Sequence, residues 1–250
     1  MEKTSFIFCE TLFEVEYDPI DTTGLGCIRE IVLNNDYLLD EFINQKDKKF
    51  IDIGSNLGIA TIIMAKLNPE STVYSFEPFK KAYDMLVNNI KLNSLTNVKT
   101  FNLAVSNKTN KSLKINIHET MSGASSTYAK QDLFENQWDT KLYDTVDCIS
   151  FDEIIKNNSM TEIELLKIDC EGAEYDIIYD SDLFKNNIVK NIIGEFHDLT
   201  YNQTSHKSSD LIDYCHLYVK GIIKISTLTM SQIIFLSPNY KMELPNEITN

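Results

Sequence analysis

Residues 49–58 read Lys-Phe-Ile-Asp-Ile-Gly-Ser-Asn-Leu-Gly, and the pattern of this stretch recurs along the chain. The apolar run Lys49–Ile53 predicts a short buried strand, and the segment Gly54–Gly58 predicts a tight loop. Ile59–Leu67 then predicts a helix. A strand, a glycine loop and a helix in this order are typical of a parallel α/β sheet, in which ligands bind at the carboxyl ends of the strands.

The same alternation continues beyond this stretch. Each predicted strand is a short apolar run, and each predicted helix carries apolar residues on one face. Two final apolar runs have no helix between them, which predicts an antiparallel pair at the edge of the sheet. The expected fold is α/β, with a mostly parallel sheet and helices on both faces. We predict strands at Thr72–Glu77, Val98–Val105, Ser112–His118, Thr145–Ser150, Ile163–Asp169, Val189–Phe196, Gly221–Ser226 and Gln232–Ser237, and helices at Phe79–Asn93, Phe151–Asn157, Ala173–Phe184 and Ser208–Tyr218.

Residues 1–48 differ from this pattern and predict a cap on the core. Phe6–Tyr17 alternates between apolar and polar residues as strands do, and Ile28–Ile43 has the apolar spacing of an amphipathic helix. We therefore expect residues 1–48 to form an N-terminal cap of strands and a helix. Residues 49–250 are expected to form the ligand-binding domain.

The composition narrows the range of partners. Lys and Arg number 23 and Asp and Glu number 37, so the formal net charge is −14. Because nucleic acid and anionic lipid bind clustered basic surfaces, we expect neither as a partner. A hydrophobic fraction of 43% excludes a disordered chain. No apolar run approaches the roughly 18 residues that a membrane span needs.

Cysteine usage and the N-terminus predict the compartment. The five cysteines are scattered, and no two have the spacing of a CxxC pair. A disulfide framework or a structural zinc site is therefore not expected, which favours a reducing environment. Acidic residues occur too early in the chain for a signal peptide. We predict a cytoplasmic protein without a membrane span.

The loop Gly54–Gly58 and Glu77 form a first candidate site. Gly54 lets the backbone turn tightly, and Gly58 lets the following helix pack near the strand. Glu77 ends the second strand, where a carboxylate accepts hydrogen bonds from the two hydroxyls of a ribose. Asp52, just before the loop, would repel phosphates and suit a cationic amino-acid group. A nicotinamide cofactor is an open alternative, although the spacing GxxxG departs from GxGxxG.

Carboxylates after two later strands form a second candidate site. Asp169 is expected to face the same crevice as Glu77, with Glu171 close behind it. Glu195 and His197 follow the next strand in the same way. A neutral imidazole accepts a proton from a hydroxyl near neutral pH, which suits His197 for catalysis. Asp169, Glu195 and His197 are also a candidate set of ligands for a divalent cation.

Four segments, in this order and spacing, resemble the signature segments of the FkbM family of S-adenosylmethionine-dependent methyltransferases. The resemblance spans about residues 28–198. It implies a class I methyltransferase fold, which is Rossmann-like and has a seven-stranded sheet with one antiparallel strand. It also implies S-adenosylmethionine as cofactor and S-adenosylhomocysteine as product. The segments are FIDIGSNLGIAT from Phe50, YSFEPF from Tyr74, LLKIDCEGAEYDII from Leu165 and IIGEFH from Ile192, with a weaker match at LAVS from Leu103.

The resemblance also implies roles for individual residues. Glu77 matches the acid that binds the ribose, Asp169 matches an acid near the transferred methyl group, and His197 matches the histidine of an EFH-like motif. His197 or Asp169 is then the expected catalytic base. The expected cofactor contacts are Asp52, Gly54, Ser55, Asn56, Gly58, Glu77, Pro78, Ala104 and Asp169. The expected substrate contacts are Glu171, Glu195, Ser125 and Ser126.

Members of this family mostly methylate oxygen atoms of sugars and of polyketide-type natural products. We expect the acceptor to be a sugar hydroxyl, in an oligosaccharide or a nucleotide-linked sugar. The polar stretch 119–139 and residues 1–48 are expected to cover the pocket and select this acceptor. A polyketide acceptor, a nicotinamide-dependent oxidoreductase and a non-catalytic binding module are the alternatives, and a homodimer is left open as the assembly.

Overall fold

The strands and helices of the chain follow the predicted alternation. The structure, a computed structural model, describes residues 1–109, 111–117, 122–125, 143–201, 204–227 and 234–235. The strands are β1 Glu2–Phe8, β2 Thr11–Tyr17, β3 Lys49–Ile53, β4 Thr72–Phe76, β5 Val98–Phe101, β6 Ala104–Ser106, β7 Lys111–Asn116, β8 Tyr143–Ser150, β9 Ile163–Ile168, β10 Val189–Phe196, β11 Leu199–Tyr201, β12 Thr204–His206, β13 Ile223–Thr227 and β14 Ile234–Phe235. The α-helices are α1 Thr23–Ile28, α2 Ile59–Leu67, α3 Lys80–Leu92, α4 Phe151–Asn157, α5 Glu174–Tyr179 and α6 Ser208–Tyr218.

A mostly parallel sheet forms the centre of the fold. Within the described residues its strand order is β14-β13-β10-β9-β3-β4-β5. All neighbouring pairs are parallel except β13 and β14, in which Lys224 lies opposite Phe235. This arrangement confirms the predicted α/β class and the antiparallel pair at the edge of the sheet.

Apolar residues of the central strands pack on both faces of this sheet. In β3, Phe50 packs against the cluster that includes α2 and α3. Ile51 and Ile53 belong to the cluster that includes α4, α5 and α6. Because neighbouring side chains of a strand point to opposite faces, an almost continuous apolar strand is what a sheet covered on both sides requires. None of the described helices has both the length and the apolar content to cross a bilayer.

The predicted strand Val98–Val105 is wrong as a single element. The chain leaves the central sheet after Phe101, and β6 then pairs with β8 in a separate three-stranded sheet of order β6-β8-β7. The side-chain amide of Asn102 donates hydrogen bonds to the carbonyl oxygens of Glu77 and Pro78, at 2.9 Å each. This contact holds the chain in a turn at the point where the apolar pattern predicts a continuous strand.

The predicted helix Ile28–Ile43 is also wrong. The α-helix ends at Ile28, a π-helical turn covers Arg29–Leu33, and a 3₁₀ turn covers Leu39–Phe42. Between them Asn35 and Leu38 have φ angles of 52° and 46°. Left-handed backbone of this kind ends a right-handed helix even where the apolar spacing continues.

The predicted helix Ala173–Phe184 is shorter in the structure. It comprises α5 and a separate 3₁₀ turn, Phe184–Asn186. The carboxylate of Asp152 accepts hydrogen bonds from the Ser181 hydroxyl and from the backbone N–H groups of Asp182 and Leu183. These contacts take donors that a continuous helix would use internally, which explains its early end.

The N-terminal strands pack on the outer side of α3. Asn89 and Asn93 of α3 form paired hydrogen bonds with the backbone of Glu16 and Glu14 in β2, at 2.7–3.2 Å. Phe13 and Val15 are fully buried in the cluster that includes α2 and α3. The strands predicted in Phe6–Tyr17 are therefore present, while the division into a cap of residues 1–48 and a domain of residues 49–250 stays a prediction.

The carboxyl end of β9 lies very close to its two neighbouring strands. A Cβ atom built on Gly54 would lie 1.8 Å from the carbonyl oxygen of Asp169, and one on Gly194 would lie 1.8 Å from that of Ile168. Gly54 also has a φ angle of 74°. Only glycine tolerates both conditions, so these positions permit the close approach of the three strand ends.

We expect Gly54→Ala to lower the free energy of unfolding by about 2–5 kcal/mol, because the methyl group would force the backbone of Asp169 away. Gly26→Ala is the matched control, since no described atom lies within 4 Å of its added Cβ. Alanine favours helix more than glycine, so this control is expected to be neutral or stabilising by up to about 1 kcal/mol. Chemical denaturation measures both variants, and equal stabilities would contradict the role given to Gly54.

Candidate active site

A cavity of about 450 Å³ opens at the carboxyl ends of the central strands. Its floor comes from the ends of β3, β4, β9 and β10, and its walls come from residues 22–37 and from Ser122, Gly123 and Ser125. This volume is within the range of small-molecule sites, and the place is where open α/β sheets bind their ligands. The cavity therefore brings most of the predicted site residues together.

The glycine loop forms one side of the cavity. Gly58 has a φ angle of 93°, and a Cβ there would lie 2.5 Å from the Leu86 side chain, so the glycine lets α2 approach α3. Asn56 adopts left-handed backbone with a φ angle of 49°. Ser55 is buried, and its hydroxyl donates to the carbonyl oxygens of Asp52 and Phe76 at 3.0 and 3.3 Å. The loop is therefore held in place by hydrogen bonds to the ends of β3 and β4.

Glu77 faces the cavity from the end of β4 and is held in one orientation. One of its carboxylate oxygens accepts the backbone N–H of Asn56 and the other accepts that of Phe79, each at 2.8 Å. Burial raises the pKa of Glu77 to about 7, against the lowering effect of the two backbone hydrogen bonds. Each oxygen keeps acceptor capacity for a ligand hydroxyl.

Asp52 lies behind the cavity wall. It is fully buried, and its carboxylate lies 3.2 Å from the ammonium group of Lys167. The same carboxylate accepts a hydrogen bond from the hydroxyl of Thr61. Lys167 in turn donates to the carbonyl oxygen of Gly54 at 2.6 Å. Burial lowers the pKa of Lys167, but the attraction of Asp52 and Asp169 outweighs it, so the net shift is upward. The geometry supports an internal ion pair for Asp52 and does not support the predicted contact with a cofactor.

Asp169 is exposed to the cavity and is oriented by Tyr37. The hydroxyl of Tyr37 donates a hydrogen bond to Asp169 Oδ2 at 2.9 Å. Burial, followed by the negative charges of Asp169 and Glu195, raises the pKa of Tyr37 well above its ordinary value, so the phenol stays a donor. The backbone N–H of Asp169 donates to the Ile53 carbonyl oxygen at 3.1 Å, which fixes this turn against β3.

His197 is buried behind the cavity among carboxylates and does not line it. Its Nδ1 lies 3.2 Å from Glu174, and its Nε2 lies 3.3 Å from Glu171 and 3.5 Å from Glu195. Burial lowers the pKa of His197, but the attraction of Glu174, Glu171 and Asp169 outweighs it and raises the pKa to about 10. Burial raises the pKa of Glu174, but the positive charge of His197 and the hydrogen bond with it outweigh this effect and lower the pKa. His197 therefore lies behind the residues that line the cavity, and its predicted catalytic role stays a prediction.

Two further carboxylates line the cavity, and the pKa of each is raised. Burial and the negative charge of Asp169 raise the pKa of Glu195 to about 8, while His197 lowers it. Burial and Asp169 also raise the pKa of Glu30. Glu30 is a site residue that sequence reasoning missed, because Ile28–Ile43 gave only the signal of an amphipathic helix.

The remaining predicted site residues divide into two groups, and two further residues of the site were not predicted. Pro78, Ala104, Glu171 and Ser125 line the cavity as expected. Ser126 lies outside the described residues. Tyr37 and Lys167 were missed: the motif that contains Lys167 was recognised, but nothing in the sequence indicates which of its side chains turns inward. The segment around Ser125 is fixed to residues 21–23, since Ser122 N–H donates to Asp21 and Gly123 N–H to Thr23.

One family model matches most of the chain, and the curated relatives are named as methyltransferases. The family model described as the methyltransferase FkbM domain matches residues 52–219, about two thirds of the chain. "Methyltransferase 1" of Beauveria bassiana is 25% identical over 182 residues, which cover 68% of this chain and 72% of that protein. "Methyltransferase sdnD" of Sordaria araneosa is 26% identical over 168 residues, which cover 58% of this chain and 64% of that protein.

A solved structure, TYW2 of M. jannaschii in complex with AdoMet, resembles part of the chain. It has 20% sequence identity and a TM-score of 0.28, and the similarity covers 47% of this chain and 53% of that one. The chain thus spans about half the length of that structure and about two thirds of the sdnD protein. The mostly parallel central sheet shows the α/β fold class.

We expect the affinity for S-adenosylmethionine, the cofactor implied by the sequence, to fall about tenfold when the pH is lowered from 8 to 6. A carboxyl group with a pKa of about 7 is ionised above pH 7 and protonated below it. The ionised form of Glu77 can accept hydrogen bonds from both ribose hydroxyls, whereas the protonated form has less acceptor capacity. Calorimetric titration at several pH values measures the effect.

The Glu77→Gln variant is the control for this titration. It should bind about 1.5–3 kcal/mol more weakly, the range for hydrogen bonds to a charged group, and lose the part of the pH dependence due to Glu77. Other groups in the cavity and the cofactor's own amine contribute equally to both proteins. An identical pH dependence in parent and variant would contradict the proposed contact.

Proposed function

This chain belongs to the FkbM methyltransferase family and uses S-adenosylmethionine as methyl donor, and we propose that it methylates a hydroxyl group of a sugar. The observation that carries the proposal is the acidic wall of the cavity. Glu30, Asp169, Glu171 and Glu195 line it, and the cationic side chain among its described residues, Lys167, is already paired with Asp52. Carboxylates accept hydrogen bonds from the several hydroxyls of a sugar.

The side of the cavity formed by β3 and β4 fits the cofactor. Glu77 is held there by two backbone N–H groups, with acceptor capacity left for the two ribose hydroxyls. The loop Gly54–Gly58, Pro78 and Ala104 complete this side. When bound, the cofactor supplies an electrophilic methyl group on a sulfonium. The chain's own part is to hold the acceptor hydroxyl at that position, which provides much of the acceleration.

The acidic side of the cavity favours an unphosphorylated region of the acceptor. A phosphate beside Asp169 and Glu171 would be repelled, and among the described lining residues no unpaired cation would offset this repulsion. An oligosaccharide or free sugar therefore fits better than a nucleotide-linked sugar whose diphosphate lies near the reacting hydroxyl. An acceptor with a positively charged group would also be attracted.

Asp169 is the leading candidate for the base. It lines the cavity at the end of a central strand and is oriented by the hydroxyl of Tyr37. A base is useful because a sugar hydroxyl is a poor nucleophile. We propose that His197, which is buried and faces Glu171 and Glu174, is a positioning residue. Family membership decides against the nicotinamide-dependent oxidoreductase considered from the glycine loop.

Methyl transfer to candidate acceptors tests the proposed function directly. The protein is incubated with isotope-labelled S-adenosylmethionine and with three acceptor groups: neutral oligosaccharides, nucleotide-linked sugars and polyketide-type alcohols. We expect the label in an alkali-stable methyl ether on a neutral sugar, located by tandem mass spectrometry. Labelling of the polyketide alcohols alone would favour the alternative acceptor, and an alkali-labile methyl ester would exclude a hydroxyl acceptor.

We expect Asp169→Asn to lower kcat by about 10²–10⁴-fold, the usual contribution of a general base, while its affinity for S-adenosylmethionine stays within about threefold of the parent. Glu30→Gln is the comparison, since Glu30 lines the acidic wall without a described link to the reacting group. It should raise KM for the acceptor and change kcat little. If Asp169→Asn keeps the parental kcat, Asp169 is not the base.

A further inference from the structure

Four carboxylates surround one imidazole at the inner end of the cavity. Glu171, Glu174 and Glu195 approach the nitrogens of His197 within 3.2–3.5 Å, and Asp169 contributes further negative charge. Buried charges of one sign are costly unless a cation compensates them. A single imidazole offers at most one positive charge to these four carboxylates.

The Nε2 atom of His197 points into this cluster without a hydrogen bond. Only 2% of the surface of His197 is exposed. Among the described residues, no donor or acceptor meets Nε2 with the geometry of a hydrogen bond, although Glu171 lies 3.3 Å away. A buried nitrogen that faces two carboxylates in this way has the position of a metal ligand.

The other side of the ring has the partner that metal-binding histidines typically have. His197 Nδ1 lies 3.2 Å from Glu174 Oε1, and the same oxygen accepts the backbone N–H of Cys170 at 3.0 Å. A carboxylate in this place accepts a hydrogen bond from Nδ1–H, so that a metal ion can displace the proton of Nε2 and bind its lone pair. The arrangement therefore fixes the direction in which Nε2 points.

We propose that Asp169, Glu171 and His197 bind a divalent metal ion, with Glu174 as the residue that orients the imidazole. Their ligand atoms all lie within 4.8 Å of one another. Ligand atoms about 2.0–2.2 Å from a tetrahedral ion are roughly 3.3–3.6 Å apart. The 3.3 Å between His197 Nε2 and Glu171 Oε2 has this value.

This set differs from the one that the sequence suggested. Sequence reasoning grouped Asp169 and His197 with Glu195, whereas the structure groups them with Glu171. Glu171 has left-handed backbone with a φ angle of 57° and begins the turn that leads from β9 to α5. This turn places its side chain beside His197.

The ligand chemistry favours an ion such as Mn²⁺ or Zn²⁺. Imidazole nitrogen suits the transition metals, and carboxylates suit Mn²⁺ and Zn²⁺ alike. Ca²⁺ takes six to eight oxygen ligands, so a site with an essential imidazole disfavours it. Because the ion would share Asp169 with the acceptor site, its use in catalysis rests on the proposed function, whereas its binding can be measured alone.

Mn²⁺ is a suitable probe because its binding is visible by electron paramagnetic resonance. The protein is titrated with Mn²⁺ at neutral pH without acceptor, and Zn²⁺ or Ca²⁺ is then added in competition. We expect one Mn²⁺ per chain, displaced by Zn²⁺ but not by an equal concentration of Ca²⁺. Calorimetry with S-adenosylmethionine on the same preparation reports whether the cofactor site is intact.

Single substitutions locate the site. Glu171→Gln should weaken Mn²⁺ binding by at least about tenfold while cofactor affinity is retained, since the residue lies at the partly exposed edge of the cluster. Glu30→Gln removes the same charge from another part of the cavity wall and should weaken Mn²⁺ binding by less than about threefold. Glu195→Gln should also have a smaller effect than Glu171→Gln.

Two results would overturn the metal site. The first is cofactor binding without stoichiometric binding of Mn²⁺ or Zn²⁺, which leaves the methyltransferase assignment intact. The second is an equal loss of Mn²⁺ affinity in all three variants together with equal competition by Ca²⁺, which means diffuse attraction to an acidic surface. Failure of the parent to bind S-adenosylmethionine would instead count against the proposed function.

Discussion

The carboxyl end of β9 is enclosed between two glycines, and the geometry of the site depends on this packing. Added Cβ atoms on Gly54 and Gly194 would each lie 1.8 Å from a carbonyl oxygen of Ile168 or Asp169. Because the strands approach so closely, the Lys167 ammonium reaches the carbonyl oxygen of Gly54 at 2.6 Å. The cofactor loop and the acid after β9 are thereby held in one rigid unit, which a methyl group at either glycine would separate.

Two regions next to this unit differ in their balance of charge. Beneath the glycine loop, Asp52 and Lys167 compensate each other in a buried pair. On the other side of Asp169, the carboxylates outnumber the cations, and the pKa of Glu195 is raised to about 8 as a result of burial and like charges. In the first region the two charges balance each other, whereas the second region attracts hydrogen-bond donors and cations. The acceptor and the metal ion proposed here both use this second property.

Sequence periodicity predicted the parts of the molecule that depend on local pattern. The central strands, α2 and the convergence of Glu77 with Asp169 follow from alternating apolar segments and from parallel strands ending at one edge. It failed where a single side chain or backbone angle redirects the chain, as Asn102 does after β5 and Asn35 does after α1. The proposed role of His197 could not be predicted from the sequence either, because burial and neighbouring carboxylates shift its pKa in opposite directions.

The two regions of the cavity also come from different parts of the sequence. The glycine loop and Glu77 come from the segments that carry the family motifs, whereas Glu30, Tyr37 and the residues that fix Ser122 come from residues 21–37. In the proposed function, the glycines and Glu77 hold the cofactor. In the same proposal, the wall formed by residues 21–37 meets the acceptor, and Tyr37 links this wall to Asp169 just after β9. On this proposal, selection of the acceptor and binding of the cofactor depend mainly on different residues.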